Sequence, residues 1–357
     1  MSAFKIVLVG LMGYCFYFPP IHAQRPWQIE AAFTQGNFYS HADFRVPLLR
    51  PMRSLAFSIC RPTAGERYWQ QLHRYPDMGL RLKIRDMGNP AVYGYTFSII
   101  PYLNFYPWKK DKWGISIAHG TGLSYITKIY SAHNPYNRLI SSHINAASFL
   151  YTGIYYQPQA PWRITTTLEM SHESNGNIQK NNRGFNTWAV GIAFRRTWNG
   201  PARRLAPFVP TGPSKGWLFS AELSCGLHDY DTYTKQIQVT PEATAAIWRQ
   251  HNDRFRSYLG LGYNVYPFPL IERAAFVLVG EEVLLGAMSV RYSLGTYLSH
   301  TGPELRLIEK VGISYYPFKN MGNSIPARIA KGIYIGAYLK AHGSVAAHIE
   351  LTVGNVF

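Results

Sequence analysis

Three cysteines in 357 residues are too few for a disulfide-built scaffold. Charge is scarce as well. Asp, Glu, Lys and Arg make up 15% of the chain, against about 25% in average globular proteins. Acidic residues are the scarcer sign, 19 against 36 basic ones, which leaves a net charge of +17. A long apolar run is also missing: the best stretch after the N-terminus, residues 274–288, is broken by Glu281 and Glu282. A membrane-spanning helix needs about 18 or more such residues, so a helical membrane protein is disfavoured. Neither a phosphate-cradling glycine loop nor a nucleic-acid module is present. What is abundant is apolar and aromatic: 47% of the chain is hydrophobic and 15% aromatic, too apolar for a disordered polymer.

Residues 1–23 read as a signal peptide. Lys5 supplies the basic start, Ile6 to Phe18 the apolar core, and Ala23 the small residue at the cut. The core is too short for a membrane anchor. A lipoprotein would use Cys15, but Tyr14 stands before it where a small residue is expected. The chain is therefore expected to be exported. One exported class hides its membrane character in alternation, the β-barrel with apolar-out and polar-in strands.

Alternation is present throughout. Trp27, Ile29, Ala31 and Phe33 interleave with Gln28, Glu30 and neighbours. Trp162, Ile164, Leu168 and Met170 interleave with Arg163, Thr165, Thr167 and Glu169. Trp188, Val190, Ile192 and Phe194 form a third run, and Trp217, Phe219, Ala221, Leu223 and Cys225 a fourth. Period two means strands. At the C-terminus Ile349, Leu351, Val353 and Phe357 share one parity, and His348, Glu350 and Thr352 the other. A last strand closing on an outward Phe357 resembles the C-terminal signature of bacterial outer-membrane barrels. Tyr102, Phe105, Tyr106, Trp108 and Trp113 around Lys109, Lys110 and Lys112 read as an interfacial girdle beside a basic turn. A soluble β-sandwich alternates too, but export, ring content and the C-terminal strand favour an all-β, antiparallel transmembrane β-barrel.

The Pro- and Gly-rich stretch 200–216 separates an N-terminal half, 24–199, from a C-terminal half, 217–357. At roughly 20–28 residues per strand and loop, about 12–16 strands are expected. Counting does not choose between one barrel and two; the reading favours one.

Residues 168–194 hold the chemistry. A polar turn rich in Gly and Asn lies between two alternating runs. On a strand, residues two apart lie on one face about 6.5–7 Å apart, so His172 can reach Ser174. Both share the outward parity of Leu168 and Met170, and Asn186 shares that of Trp188 and Val190. A hairpin centred on Gln179 sets His172 opposite Asn186, about 4.5–5.5 Å apart. Nucleophile, base and base-orienter can then form one outward cluster. Three polar residues on a lipid-facing surface are costly without a purpose. In the bland alternative, the hairpin tip stands above the hydrocarbon, where polar groups cost little.

The segment Ser171-His172-Glu173-Ser174-Asn175-Gly176, with Asn182 and Gly184 downstream, resembles the active-site signature of PagL-type lipid A deacylases, also filed as acyloxyacyl hydrolases. Trp69-Gln70-Gln71-Leu72, Gly88-Asn89-Pro90 with Gly94-Tyr95, Asn134-Pro135-Tyr136-Asn137 and Ser141-Ser142-His143-Ile144-Asn145 resemble the longer Bacteroidetes-type members. The resemblance implies an outer-membrane barrel that hydrolyses an ester-linked acyl chain of lipid A without metal or cofactor. It implies Ser174 as nucleophile and His172 as base, with Asn175, Gly176 and Asn182 shaping the turn or the oxyanion hole. The family's acidic third member falls at Asn186, which can orient a histidine but cannot stabilise imidazolium as a carboxylate does.

Other residues read as structural. His342 and Ser344 repeat the spacing, but His342 shares the mixed polar parity of Tyr334, Tyr338 and Lys340. His143 sits at a loop–strand boundary. Cys60 and Cys225 fall on opposite parities, which disfavours a disulfide. For an exported barrel the positive charge points to lipopolysaccharide and outer-membrane lipids, not to nucleic acid. Arg195, Arg196, Arg203, Arg204, Lys109, Lys110 and Lys112 are candidates to meet its phosphates. Three rivals to the deacylase remain: a barrel that has lost catalysis, an esterase or phospholipase on other lipids, and a porin-like channel with a wide polar lumen.

Overall fold

The computed structural model describes residues 26–39, 48–198, 206, 215–229, 237–266, 272–299, 307–319, 321, 324–342 and 345–357. The expected signal peptide, 1–23, and nearly all of the 200–216 connection lie outside them.

The first eight strands are β1 (Trp27–Phe38), β2 (Met52–Pro62), β3 (Asp77–Asp86), β4 (Tyr95–Lys110), β5 (Trp113–Ile126), β6 (Ile144–Gln159), β7 (Trp162–Ser174) and β8 (Phe185–Trp198). Each pairs antiparallel with its chain neighbours, and β1 closes on β8, Trp27 opposite Trp198. The next eight are β9 (Gly216–Asp229), β10 (Ile237–Gln250), β11 (Phe255–Tyr266), β12 (Glu272–Leu285), β13 (Met288–Ser299), β14 (Leu307–Tyr315), β15 (Ile333–His342) and β16 (Val345–Val356), and β16 closes on β9. The sixteen strands of the described residues agree with the expected number, but they form two closed barrels of eight and not the single barrel favoured above. Alternation is the same on either plan. What decides is the partner of β8, which is β1 and not β9.

Burial is inverted relative to a water-soluble domain. On β2, Leu55, Phe57 and Ile59 are 54%, 56% and 53% exposed, while the alternating Ser54, Ala56 and Ser58 are buried. The same phase runs through β1, where Gln28, Glu30 and Thr34 face inward. A continuous apolar exterior of this extent is stable against lipid and not against water. Closure leaves no unpaired strand edge within the apolar layer. The pairing extends to the last residue: Phe357 exchanges backbone hydrogen bonds with Phe219 at 2.8 and 2.9 Å, and its ring is exposed.

An eight-stranded barrel is just wide enough for side chains to fill it. In the first barrel Arg195 binds Glu30 at 2.8 Å, Asp77 at 2.9 Å and Gln28 at 3.0 Å, and Lys83 is paired to Glu169. In the second, Glu242 binds both Lys310 (2.8 Å) and Lys340 (2.7 Å), Arg291 binds Glu222 at 2.7 Å, and Arg256 is paired to Glu282. These side chains are buried, so their charges are tolerable because they are paired. Such interiors are unlike the wide polar lumen that a porin-like channel requires.

Candidate active site

β7 and β8 meet in the register that the hairpin argument requires. His172 lies opposite Asn186, Ser171 opposite Thr187, and Glu173 opposite Phe185. Between the strands, Gly176, Asn177, Asn181 and Gly184 take positive φ, the conformation that Gly and Asn accept most readily. Leu168 and Met170 are exposed on the outer face, and Glu169 and Glu173 are buried on the inner one.

The two side-chain bonds of His172 order the cluster. Its Nδ1 is 2.6 Å from Asn186 Oδ1, and its Nε2 is 2.8 Å from Ser174 Oγ. An amide oxygen can only accept, so Nδ1 carries the proton and donates it. The neutral ring then has its lone pair at Nε2, where it accepts from the Ser174 hydroxyl. This is the tautomer a general base needs.

Ser174 has the outward parity of the apolar residues but not their exposure: it is 3% exposed, against 47% for Met170. It ends β7 opposite Ala146 of β6. Next to it, Asn175 Nδ2 donates to Ser141 Oγ at 3.2 Å and to Ser142 Oγ at 3.0 Å. Ser142 donates to Asn145 Oδ1 at 2.8 Å, and Asn145 Nδ2 returns a bond to the Ser142 carbonyl at 2.7 Å. The Asn175 side chain therefore ties the β5–β6 loop to the end of β7. Gly176 and Asn182 lie on the β7–β8 connection, Gly176 directly after Asn175 with φ +63°.

Gly184 is required by a close approach. At φ +77°, an added Cβ would stand 2.8 Å from His172 Cε1. Its N–H donates to the Leu139 carbonyl at 2.9 Å. Phe185 is fully buried against Phe38 and Tyr93, with ring centroids 5.5 and 6.0 Å away. The start of β8, and so Asn186, is anchored by this cluster. It also contains Met52, Met87, Ile126, Leu139 and Ile140.

The two other histidines weighed from the sequence, His143 and His342, have partners of their own. His143 Nδ1 is 2.7 Å from the Ile126 carbonyl, and its ring stacks on Tyr125. His342 is buried, with Nε2 2.9 Å from the Tyr297 hydroxyl. Cys60 and Cys225 are both free thiols. The basic residues assigned to phosphate are only partly available. Arg195 is buried among Glu30 and Asp77, because its parity is inward. Arg196 faces out, packed over Trp162 and Trp198 at 5.1 and 4.4 Å. Lys109, Lys110 and Lys112 surround the β4–β5 turn, at the opposite strand end from the β7–β8 connection. Arg203 and Arg204 lie outside the described residues.

A closed antiparallel barrel with an apolar exterior is the architecture of an outer-membrane β-barrel protein. More narrowly, residues 58–195 match the lipid A 3-O-deacylase (PagL) family. The match runs from β2 into β8, so what resembles the family is the first barrel, and the second barrel lies beyond the matched residues. It supports hydrolysis of a lipid A ester in the outer membrane. No curated protein matches the chain. Among solved structures, a double mutant and a triple mutant of the Rhodopseudomonas blastica porin are similar at 9% identity, covering 93% of this chain and 99% of theirs. Their TM-score is 0.19.

Proposed function

We propose that the chain removes an ester-linked acyl chain from lipid A by a serine mechanism, with Ser174 as nucleophile, His172 as general base and Asn186 as the residue that orients the ring. The observation that carries the reading is the continuous hydrogen-bond chain from Asn186 Oδ1 through the imidazole to Ser174 Oγ. As Oγ attacks the ester carbonyl, its proton passes to Nε2. Collapse of the tetrahedral intermediate breaks the bond to the sugar oxygen, which takes that proton and leaves as an alcohol. Water, deprotonated by the same nitrogen, then attacks the acyl-serine, and Ser174 Oγ takes that proton back as the fatty acid is released. Backbone N–H groups at Asn175 and Gly176, with Asn182, are the candidate donors to the oxyanion. The outward parity of the site suits a substrate embedded in the same leaflet, where the membrane itself supplies proximity. Export through the N-terminal signal peptide belongs to the same reading.

A second reading is a barrel that binds lipopolysaccharide without hydrolysing it. Asn186 in place of a carboxylate and the burial of Ser174 favour it. Mass spectrometry of lipid A after incubation with the detergent-folded protein separates the two. Loss of one hydroxyacyl mass with the wild type and none with Ser174→Ala is the expected result. Unchanged lipid A from a demonstrably folded barrel supports the binding protein.

A further inference from the structure

We infer that Arg85, a cation inside the first barrel, is a positioning residue for the site on its outer face, holding from behind the strand pair that carries His172, Ser174 and Asn186. The inference rests on the proposed roles of those three residues. Alternation makes each outward site residue the chain neighbour of an inward one. Ser171 and Glu173 flank His172, Glu173 also precedes Ser174, and Thr187 follows Asn186. Arg85 reaches all three of these inward residues. Its Nη2 donates to Ser171 Oγ at 2.9 Å, its Nη1 donates to Thr187 Oγ1 at 3.2 Å, and the same Nη1 lies 3.8 Å from Glu173 Oε1.

The contact spans the barrel. Arg85 belongs to β3, whose strand partners are β2 and β4, whereas its targets are on β7 and β8. Ser171 and Thr187 are a cross-strand pair with their hydroxyls 2.8 Å apart. A single planar guanidinium therefore fixes both strands at the level of the His172–Asn186 pair, together with the peptide between base and nucleophile. A lysine has one donor centre and cannot reproduce that fork. The Arg85 side chain is 5% exposed, so these bonds are not diluted by water. Arg195, an equally buried cation of the same barrel, binds Gln28, Glu30, Asp77 and Tyr106, none of which adjoins a site residue. The geometry on the outer face tolerates little movement, since a displacement of about 1 Å costs on the order of a hundredfold in rate.

The test uses the full-length protein in detergent with purified lipid A. It measures kcat and KM, the rate at which a fluorophosphonate labels Ser174, and the thermal unfolding midpoint. Arg85→Met is expected to lower kcat and labelling together by about 10- to 100-fold, with KM little changed. Arg85→Lys should recover only part of the loss. The double variant Ser171→Ala/Thr187→Val removes two of the contacts without changing charge, and should lower kcat by about threefold to tenfold; it carries the test if Arg85→Met does not fold. Arg195→Met should lower the unfolding midpoint and keep kcat. Wild-type kcat and labelling in Arg85→Met, or in the double variant where Arg85→Met does not fold, would overturn the inference. So would an equal kcat loss in Arg195→Met. A wild type that neither labels nor deacylates overturns the deacylase reading instead.

Discussion

The two barrels end their seventh strands at a histidine of the same His-x-Ser spacing and turn that histidine to opposite faces. β7 closes with His172 and Ser174, and β15 closes with His342, followed two residues later by Ser344, which lies outside the described residues. His172 keeps the outward phase and meets Asn186 and Ser174. His342 keeps the inward phase of Tyr334, Tyr338 and Lys340 and meets Tyr297. The difference is one step in a period of two, which moves a side chain from one face of the sheet to the other. The setting differs as well. A ten-residue connection, 175–184, follows β7, whereas residues 343–344 alone join β15 to β16. His-x-Ser is therefore a candidate site only where parity and the next loop agree.

The largest effect that separates the barrels is expected at Ser174. Ser174→Ala or His172→Ala should bring deacylation to background in the lipid A mass assay, with the barrel still folded. His342→Ala should leave the reaction untouched; activity lost in that variant would break the comparison. Next comes Gly184→Ala, which forces a Cβ against the imidazole at a positive φ. It should lower kcat by about 10- to 100-fold and destabilise the barrel by about 1–2 kcal/mol, measured by steady-state kinetics and urea unfolding. Asn186→Asp tests the departure from a carboxylate. A hydrogen bond to a charged partner is worth roughly 1–1.5 kcal/mol more than a neutral one, so kcat should rise by about tenfold; a fall would show that the neutral amide is what the site requires. The smallest effect is the stability cost of His342→Ala, about 1 kcal/mol for the lost bond to Tyr297, read from the same urea titration.

Much of the first barrel is legible in the chain. The alternation over 162–170 and 188–194 gives the strands and their faces. The symmetry about Gln179 gives the His172–Asn186 pairing, because hairpin register follows from the position of the turn. Barrel closure is different: the pairing of Trp27 with Trp198 joins segments far apart in the chain, and period two does not encode it. Arg85 was missed for the same reason, since its partners come from strands across the interior. The burial of Ser174 was missed because parity names a face and not what covers it. The resemblance pointed to 141–145 without a role; the structure gives Ser141, Ser142 and Asn145 one, in holding Asn175 and the β5–β6 loop together.

The inverted burial of these strands also sets where the lineage can vary. Outside, Leu55, Phe57 and Ile59 face acyl chains that make no demand on shape, so one bulky apolar residue replaces another at little cost. Inside, Glu169 answers to Lys83 and Arg81, and Glu242 to Lys310 and Lys340. Losing the shared acid leaves buried cations short of counter-charge, at roughly 3–5 kcal/mol. In water-soluble proteins the greasy positions drift slowest over evolutionary time and charged ones fastest. Across descendants of this chain the order should reverse, with the acids and bases of the interior as its slowest-changing columns.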